Sequence, residues 1–207
     1  MEKNRTFLGQ PVSIGAEVLF GSYEQDNDHD NGKEQIRWRV LDAVDGKALL
    51  LSKFCLICHP YHTSIYSVSW EDCSLRAWLN NGFFNEAFDN DEKERIVDAH
   101  LRNDENPQYG TYAGNDTTDR VFLLSIEEAR TFFSSDEDRC ALSPEYAIAQ
   151  STWQSSETGN SWWWLRSPGI STDMAAGINA KGAIRTKGHD VGDAHAAVRP
   201  AIWVALD

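Results

Sequence analysis

Cys55 and Cys58, followed at once by His59 and His62, have the close thiol and imidazole spacing that zinc uses. A structural zinc site needs a second ligand pair at defined spacing, and Cys73 and Cys140 each stand alone. The expectation is reduced, partly buried thiols near a strand end, with no metal and no cofactor. Asp26, Asp28 and Asp30 alternate as at the start of an EF-hand loop. The sixth loop position, where the chain must turn sharply, is Asn31 rather than glycine, and the twelfth is Arg37 rather than a bidentate glutamate. That stretch reads as a solvated hairpin loop. His100, His189 and His195 are possible general bases, but no nucleophile elbow, zinc-protease helix, phosphate-binding loop or dinucleotide turn accompanies them. A carboxylate pair of the glycosidase kind meets in space rather than along the chain, so the 32 Asp and Glu residues assign none.

Recognition is the remaining chemistry. Aromatic faces can stack on sugars, yet Trp162, Trp163 and Trp164 are consecutive, and a period of two sends them to both faces of one strand. A strand apolar on both faces lies inside a layered domain, so the triple reads as core. Arg166 and Arg199 flank the segment that follows, each read as the partner of a carboxylate or a turn carbonyl. Between them, residues 170–196 keep a thin skeleton of Ala175, Ala176, Ile178, Gly182, Ile184, Gly188 and Val191 among polar positions. Such a skeleton leaves outward positions free, and rims on a rigid scaffold are where recognition residues sit.

The elements that must hold this segment start with antiparallel sheet. Residues 16–24, 35–43 and 47–54 are rich in β-formers, and Asp45-Gly46 predicts a type I′ hairpin between the last two. Ser69 to Asp72 has the form of a capping box ahead of Leu75, Trp78 and Leu79 at helical spacing. A charged helix is expected over 91–101, with Ile96, Val97 and Leu101 inward, then a loop over 102–119. Residues 121–125 read as a buried strand, Ser125 to Glu128 as a capping box opening a helix through Phe133, and Ser143-Pro144 as the cap and first residue of another helical turn. The last fifty residues return to strand, with turns at Gly182 and Gly188 and a closing strand over 197–206. The sum is a twisted antiparallel meander with helices at one end, an α+β domain.

Composition bounds the partners. A length of 207 residues with 41% hydrophobic content suits one domain, 1–207, with a packed core. A formal net charge of −13 opposes binding to a phosphate backbone or to anionic lipid, both of which reward basic surfaces. No apolar run approaches the roughly 20 residues of a membrane span. The opening MEKNRTFLGQPVSIG has no apolar region of the secretory kind, so the expectation is an intracellular, cytoplasmic chain by default.

The order WRVL, ALLLSKF, SLRAWLNNGFFNEAF, DRVFLLSIEEA, WWWLRSPG and VRPAIWV resembles a bacterial family, that of domain of unknown function 6273, found in gut Firmicutes. The likeness runs from about Val18 to Leu206 and is most specific in SLRAWLNN with its following Phe-Phe and in the WWLRSPG and VRPA pair. The resemblance implies a C-type lectin-like fold: twisted antiparallel sheets with two or more short packed helices. It also implies kinship with the variable proteins of diversity-generating retroelements. In those, error-prone reverse transcription rewrites adenine-rich codons between the two motifs. On that footing Ser171, Thr172, Asp173, Asn179, Arg185, Thr186, His189, Asp190, Asp193 and His195 are the expected ligand contacts. Formylglycine-generating enzymes, which share the fold, use a late pair of cysteines, and no cysteine follows Cys140. The Glu-Pro-Asn and Trp-Asn-Asp sets of calcium-dependent lectins are absent as well. The expectation is a non-enzymatic binding module for a protein or cell-surface ligand, with no nucleic acid, no membrane insertion and no catalytic residue. The alternatives are a lectin-fold oxidoreductase or hydrolase, and an accessory structural module without a specific ligand.

Overall fold

In a computed structural model, which describes residues 5–207, Thr6–Phe7 (β1) and Gln10–Pro11 (β2) form a short hairpin beside the C-terminus. Residues 1–4 of the opening stretch lie outside the described residues. Glu17–Tyr23 (β3), Glu34–Val44 (β4) and Lys47–Ser52 (β5) then pair antiparallel in sequence. Asp45 and Gly46 both take positive φ, 50° and 73°, as a type I′ turn requires. Alternation sends Val18, Phe20, Ile36 and Trp38 inward, and Trp38 Nε1 donates to the Phe20 carbonyl at 2.7 Å.

After Ile57–Cys58 (β6) the chain turns helical: a 3₁₀ turn at Trp70–Asp72, Ser74–Trp78 (α1), a π-helical turn at Leu79–Phe83 and Phe84–Ala87 (α2). The capping box expected at Ser69 does not form. The buried Trp70 indole donates to Asp119 Oδ2 at 3.0 Å, which holds its turn apart from α1, and Cys73 Sγ caps α1 instead, accepting from Arg76 N. Asn90–Arg95 (α3) is opened by an Asp89 and Glu92 capping box. It stops well short of residue 101, because the β-branched pair Ile96–Val97 (β7) leaves the helix for sheet and Ala99–Leu101 (β8) pairs with Thr117–Asp119 (β9). The irregular loop is therefore 102–116.

Val121–Phe122 (β10) is fully buried, and Ser125 and Glu128 cap Ile126–Thr131 (α4) reciprocally, as read from sequence. Asp136–Arg139 (α5), Ala141–Leu142 (β11) and Glu145–Ala149 (α6) follow. Pro144 is itself the N-cap of α6, in extended conformation, and Ser143 instead shares a 2.7 Å hydrogen bond with Ser161.

Asn160–Ser161 (β12) pairs with β11 and leads to Trp163–Pro168 (β13), Met174–Ile178 (β14) and Ile184–Asp190 (β15). The closing strand expected over 197–206 is two strands, Ala197–Val198 (β16) and Ala201–Ala205 (β17), divided at Arg199-Pro200. Proline has no N–H for a ladder, and the break moves the chain from one sheet to the other. The first sheet runs β10-β17-β5-β4-β3, with β7 also on β17; the second runs β15-β14-β13-β16-β6. Only β13 and β16 pair parallel in these two sheets. A continuous apolar core joins them, with Trp38, Trp70, Trp163 and Trp164 wholly enclosed. The architecture is mixed α+β, mostly antiparallel and curled, with few short helices. Among the described residues no helix is long and apolar enough to cross a membrane.

Candidate functional site

The polar segment builds the free edge of the second sheet. Between β14 and β15 the chain reverses at 179–183, where Asn179 Oδ1 accepts from the amides of Lys181 (2.9 Å) and Ala183 (3.0 Å). Gly182 completes the turn at φ 81°, and a Cβ there would lie 1.6 Å from the Asp136 carbonyl oxygen of α5. Only glycine lets the turn and α5 meet so closely.

Further along, β15 bulges. Ala175 pairs with His189 and Gly177 with Arg185, so Thr186, Lys187 and Gly188 oppose the single residue Ala176. Gly188 lies in this bulge, inside the strand, rather than at the expected chain reversal; its φ is 81° and a Cβ would sit 2.5 Å from the Ala175 carbonyl oxygen. The bulge is clamped from the 102–116 loop by Asn106, which is 1% exposed. Its Nδ2 donates to the carbonyls of Pro168 (2.8 Å), Gly169 (3.1 Å) and Thr186 (2.8 Å), while its Oδ1 accepts from the amides of Gln108 and Tyr109. Thr186 Oγ1 in turn donates to Gln108 Oε1.

On the same edge His189 stacks on Trp162, ring centroids 4.3 Å apart at 30°. Burial holds the His189 imidazole below its ordinary pKa; nearby Asp193 works against this and Arg185 adds to it. Arg185, His189 and Asp193 thus share one electrostatic neighbourhood, with His189 neutral at pH 7 and Arg185 exposed. The other expected contacts divide. Ser171 donates to Asp173, both exposed, beside half-buried Thr172, whose carbonyl accepts from Val68 N. Asp190 Oδ1 accepts from Gly192 N, and Asp193 Oδ1 from His195 N, so both carboxylates shape turns. His195 sits apart at the far end, its Nδ1 2.9 Å from the Ser151 carbonyl.

Two flanking loops complete the face, and sequence reasoning named one of them only by range. The 62–68 loop is tied along it by His62 N to Val191 O and Val68 N to Thr172 O, both 2.8 Å. Ile65 lies close to Gly192, and Ile65 and Tyr66 are 71% and 76% exposed. The 102–116 loop adds exposed Tyr109 and Tyr112, and Ile170 is exposed where its amide bonds to Lys187 O. The available signal was an Ile-Tyr pair in a serine-rich stretch, which has no period to mark it.

The remaining chemistry groups are engaged elsewhere. Cys58 Sγ donates to Gln150 O, His62 Nδ1 accepts from Ser74 N, and His59 stacks on Trp78. All four cysteines are free, and burial pushes the Cys55 and Cys73 thiols up to about 12, so they stay protonated at neutral pH. Arg166 is held by Glu128 and by the Leu123 carbonyl at 2.9 Å. Arg199 donates to the carbonyls of Ser52 (2.9 Å) and Arg139 (3.2 Å), with its guanidinium over Trp163 and Phe133. It lines a cleft of about 300 Å³ where Lys53 pairs with Glu17 and Arg39 with Asp138, beside Glu137. Among the described residues, Glu24, Asp26 and Glu34 have the carboxylates that come together closely enough to share a metal ion.

Fold and edge together define a small mixed α+β domain whose polar hairpin is framed by two loops bearing exposed aromatic residues. The chain belongs to the family described as Domain of unknown function (DUF6273), whose model matches residues 45–206, from the β4–β5 turn to the end of the sheet. No curated protein and no solved structure matches it.

Proposed function

We propose that this chain is a non-enzymatic binding module on a C-type lectin-like scaffold, and that it recognises a protein through the edge formed by residues 170–195 and the loops 62–68 and 102–116. The observation that carries the reading is the set of exposed Ile65, Tyr66, Tyr109, Tyr112 and Ile170 on segments tied to the edge that carries Arg185 and His189. Tyrosine supplies large contact area at low entropy cost, and aromatic anchors with arginine are the enriched elements of protein interfaces. The turns behind them are preset by Asn179, Asp190 and Asp193, so little order is lost on binding.

The test uses proteins captured on the immobilised chain, produced pure and titrated against wild type and the triple variant Arg185→Ala, His189→Ala, Asp193→Asn. Binding is expected to be lost in the variant while its melting temperature stays within about 4 °C, since surface and half-buried changes are small. A variant that folds and binds as tightly as wild type refutes the surface. The finer reading, that this edge is the diversified segment of a retroelement variable protein, rests on the family resemblance. It requires a reverse transcriptase gene beside the coding sequence, with an adenine-rich near-copy of codons 162–200; a locus without them refutes it.

A further inference from the structure

We propose that Glu24, Asp26 and Glu34 form a binding site for a hard divalent cation, calcium, at the root of the β3–β4 hairpin. Glu24 follows β3 directly and Glu34 opens β4, so strand pairing brings them together, with Asp26 above them at the start of the loop. One carboxylate oxygen from each lies within 4.8 Å of the other two. Proximity of acidic groups alone is common. The distinguishing feature is Glu24, whose side chain is 7% exposed and whose Oε1 has no hydrogen-bond partner. A buried carboxylate oxygen left unpartnered among further carboxylates is costly unless a cation shares the space.

The other two carboxylates are already oriented. Glu34 Oε2 accepts from the amides of Gln25 (2.7 Å) and Asp26 (3.2 Å), and Asp26 accepts from Asp28 N (2.9 Å) and Asn31 Nδ2 (2.8 Å). Each carboxylate keeps lone-pair capacity for a metal, Glu34 through its other oxygen, Oε1, and Asp26 through the second lone pair of each oxygen. No protein cation balances the group well. His29 Nδ1 is 3.5 Å from Glu24 Oε2, with its side chain 70% exposed, and Lys33 is engaged with Glu86.

An all-oxygen set selects hard cations over zinc or copper. Calcium binds oxygens at about 2.3–2.6 Å in flexible geometry, whereas magnesium demands a tight octahedron at about 2.0–2.1 Å. A cluster on an exposed loop, open on one side to water, suits the former. This ligand set is not the alternating Asp26, Asp28 and Asp30 of an EF-hand, because the carboxylates that converge on Asp26 are those of Glu24 and Glu34. Calcium here would fasten the hairpin next to α6, which already meets it through Tyr146 N to Gln25 O and the edge-on contact of His29 with Tyr146.

The test is calorimetric titration of the chelator-treated full chain with calcium chloride, with melting curves alongside. The expected result is one calcium per chain with a Kd of about 10⁻⁴ M, as for modules with few charged ligands. At a hundred times Kd the melting temperature should rise by about 5–10 °C. Glu24→Gln and Glu34→Gln, both near-isosteric, should each weaken binding at least tenfold, while His29→Ala and the remote Asp190→Asn should not. Wild type showing neither heat nor a melting shift overturns the proposal, and so does a folded Glu24→Gln chain that binds calcium as wild type does. A Glu24→Gln chain that melts higher without calcium, beside a wild type that binds none, also overturns it, since Glu24 would then carry a proton.

Discussion

Asn106 joins the 102–116 loop to the bulge of β15, and replacing it tests whether one side chain holds that face in shape. Asn106→Ala removes the two N–H donors that the carbonyls of Pro168, Gly169 and Thr186 share, and two bonds accepted from Gln108 and Tyr109. Pro168 and Gly169 are buried, so water does not readily replace the lost donor there. At about 1 kcal/mol net per donated proton, the two N–H groups account for about 2 kcal/mol. The two amides belong to an exposed loop, where water takes over most of the lost interaction. With a urea m-value of about 2.5 kcal/mol/M, the midpoint should fall by about 0.8 M. Tryptophan fluorescence reports the transition, since several of the eight indoles are buried. Asn106→Asp should be worse than alanine, because a carboxylate would then face three carbonyl oxygens. Hydrogen exchange at Gln108 and Tyr109 should accelerate in both variants before the core exchanges. A loss below about 1 kcal/mol in Asn106→Ala, or an Asp variant as stable as wild type, would refute the clamp.

Two other perturbations separate structural from recognition roles. Arg199→Ala takes the guanidinium donor from the Ser52 carbonyl, leaves the Arg139 carbonyl with the Trp163 indole, and opens a void between Trp163 and Phe133, an expected loss of about 3–5 kcal/mol by urea denaturation. Arg199→Met fills the void without a buried charge and should cost about 2 kcal/mol less; equal losses would show that the cation itself is needed. For His189, the depressed pKa means the unfolded state binds the proton more readily, so its contribution is complete above the unfolded value near 6.5 and declines as pH falls towards the folded value. Titration by NMR should place His189 below 6.5, and His189→Ala should flatten the stability profile just below that pH; a folded value above 6.5 would refute the argument from burial.

How much of this was legible depended on whether the deciding contact was local. The β3 to β5 meander and the type I′ turn follow from alternation and from Asp45-Gly46, both properties of adjacent residues. The Ser125 and Glu128 box is likewise local. The misread boundaries are those where a distant partner intervenes. Ile96 and Val97 continue a helical pattern but pair with Val204 and Trp203, more than a hundred residues on. Ser69 was outcompeted through Trp70, whose indole reaches Asp119. Arg199-Pro200 carries a visible break signal, but that the break moves the chain between sheets is set by β5 and β6.

The sequence marks out a region, and the structure shows how the ten positions chosen there for outward polarity are built. They do not all project freely. Asn179, Asp190 and Asp193 spend an oxygen on nearby amides, so substituting them would reshape the hairpin ends rather than only repaint them. Arg185 is exposed and His189 stacks on Trp162, so change there alters contact chemistry on an unchanged backbone. Gly182 and Gly188 are barred from change by α5 and by the Ala175 carbonyl. A diversified segment on this scaffold, as proposed, would therefore vary in two ways at once, in side-chain chemistry along β15 and in loop shape at its ends. The 62–68 and 102–116 loops would supply the constant tyrosines between them. Affinity from such a surface would come from the fixed aromatic anchors and specificity from the positions that change, which is the division of labour that adaptable polar and rigid aromatic residues perform in loop-built paratopes.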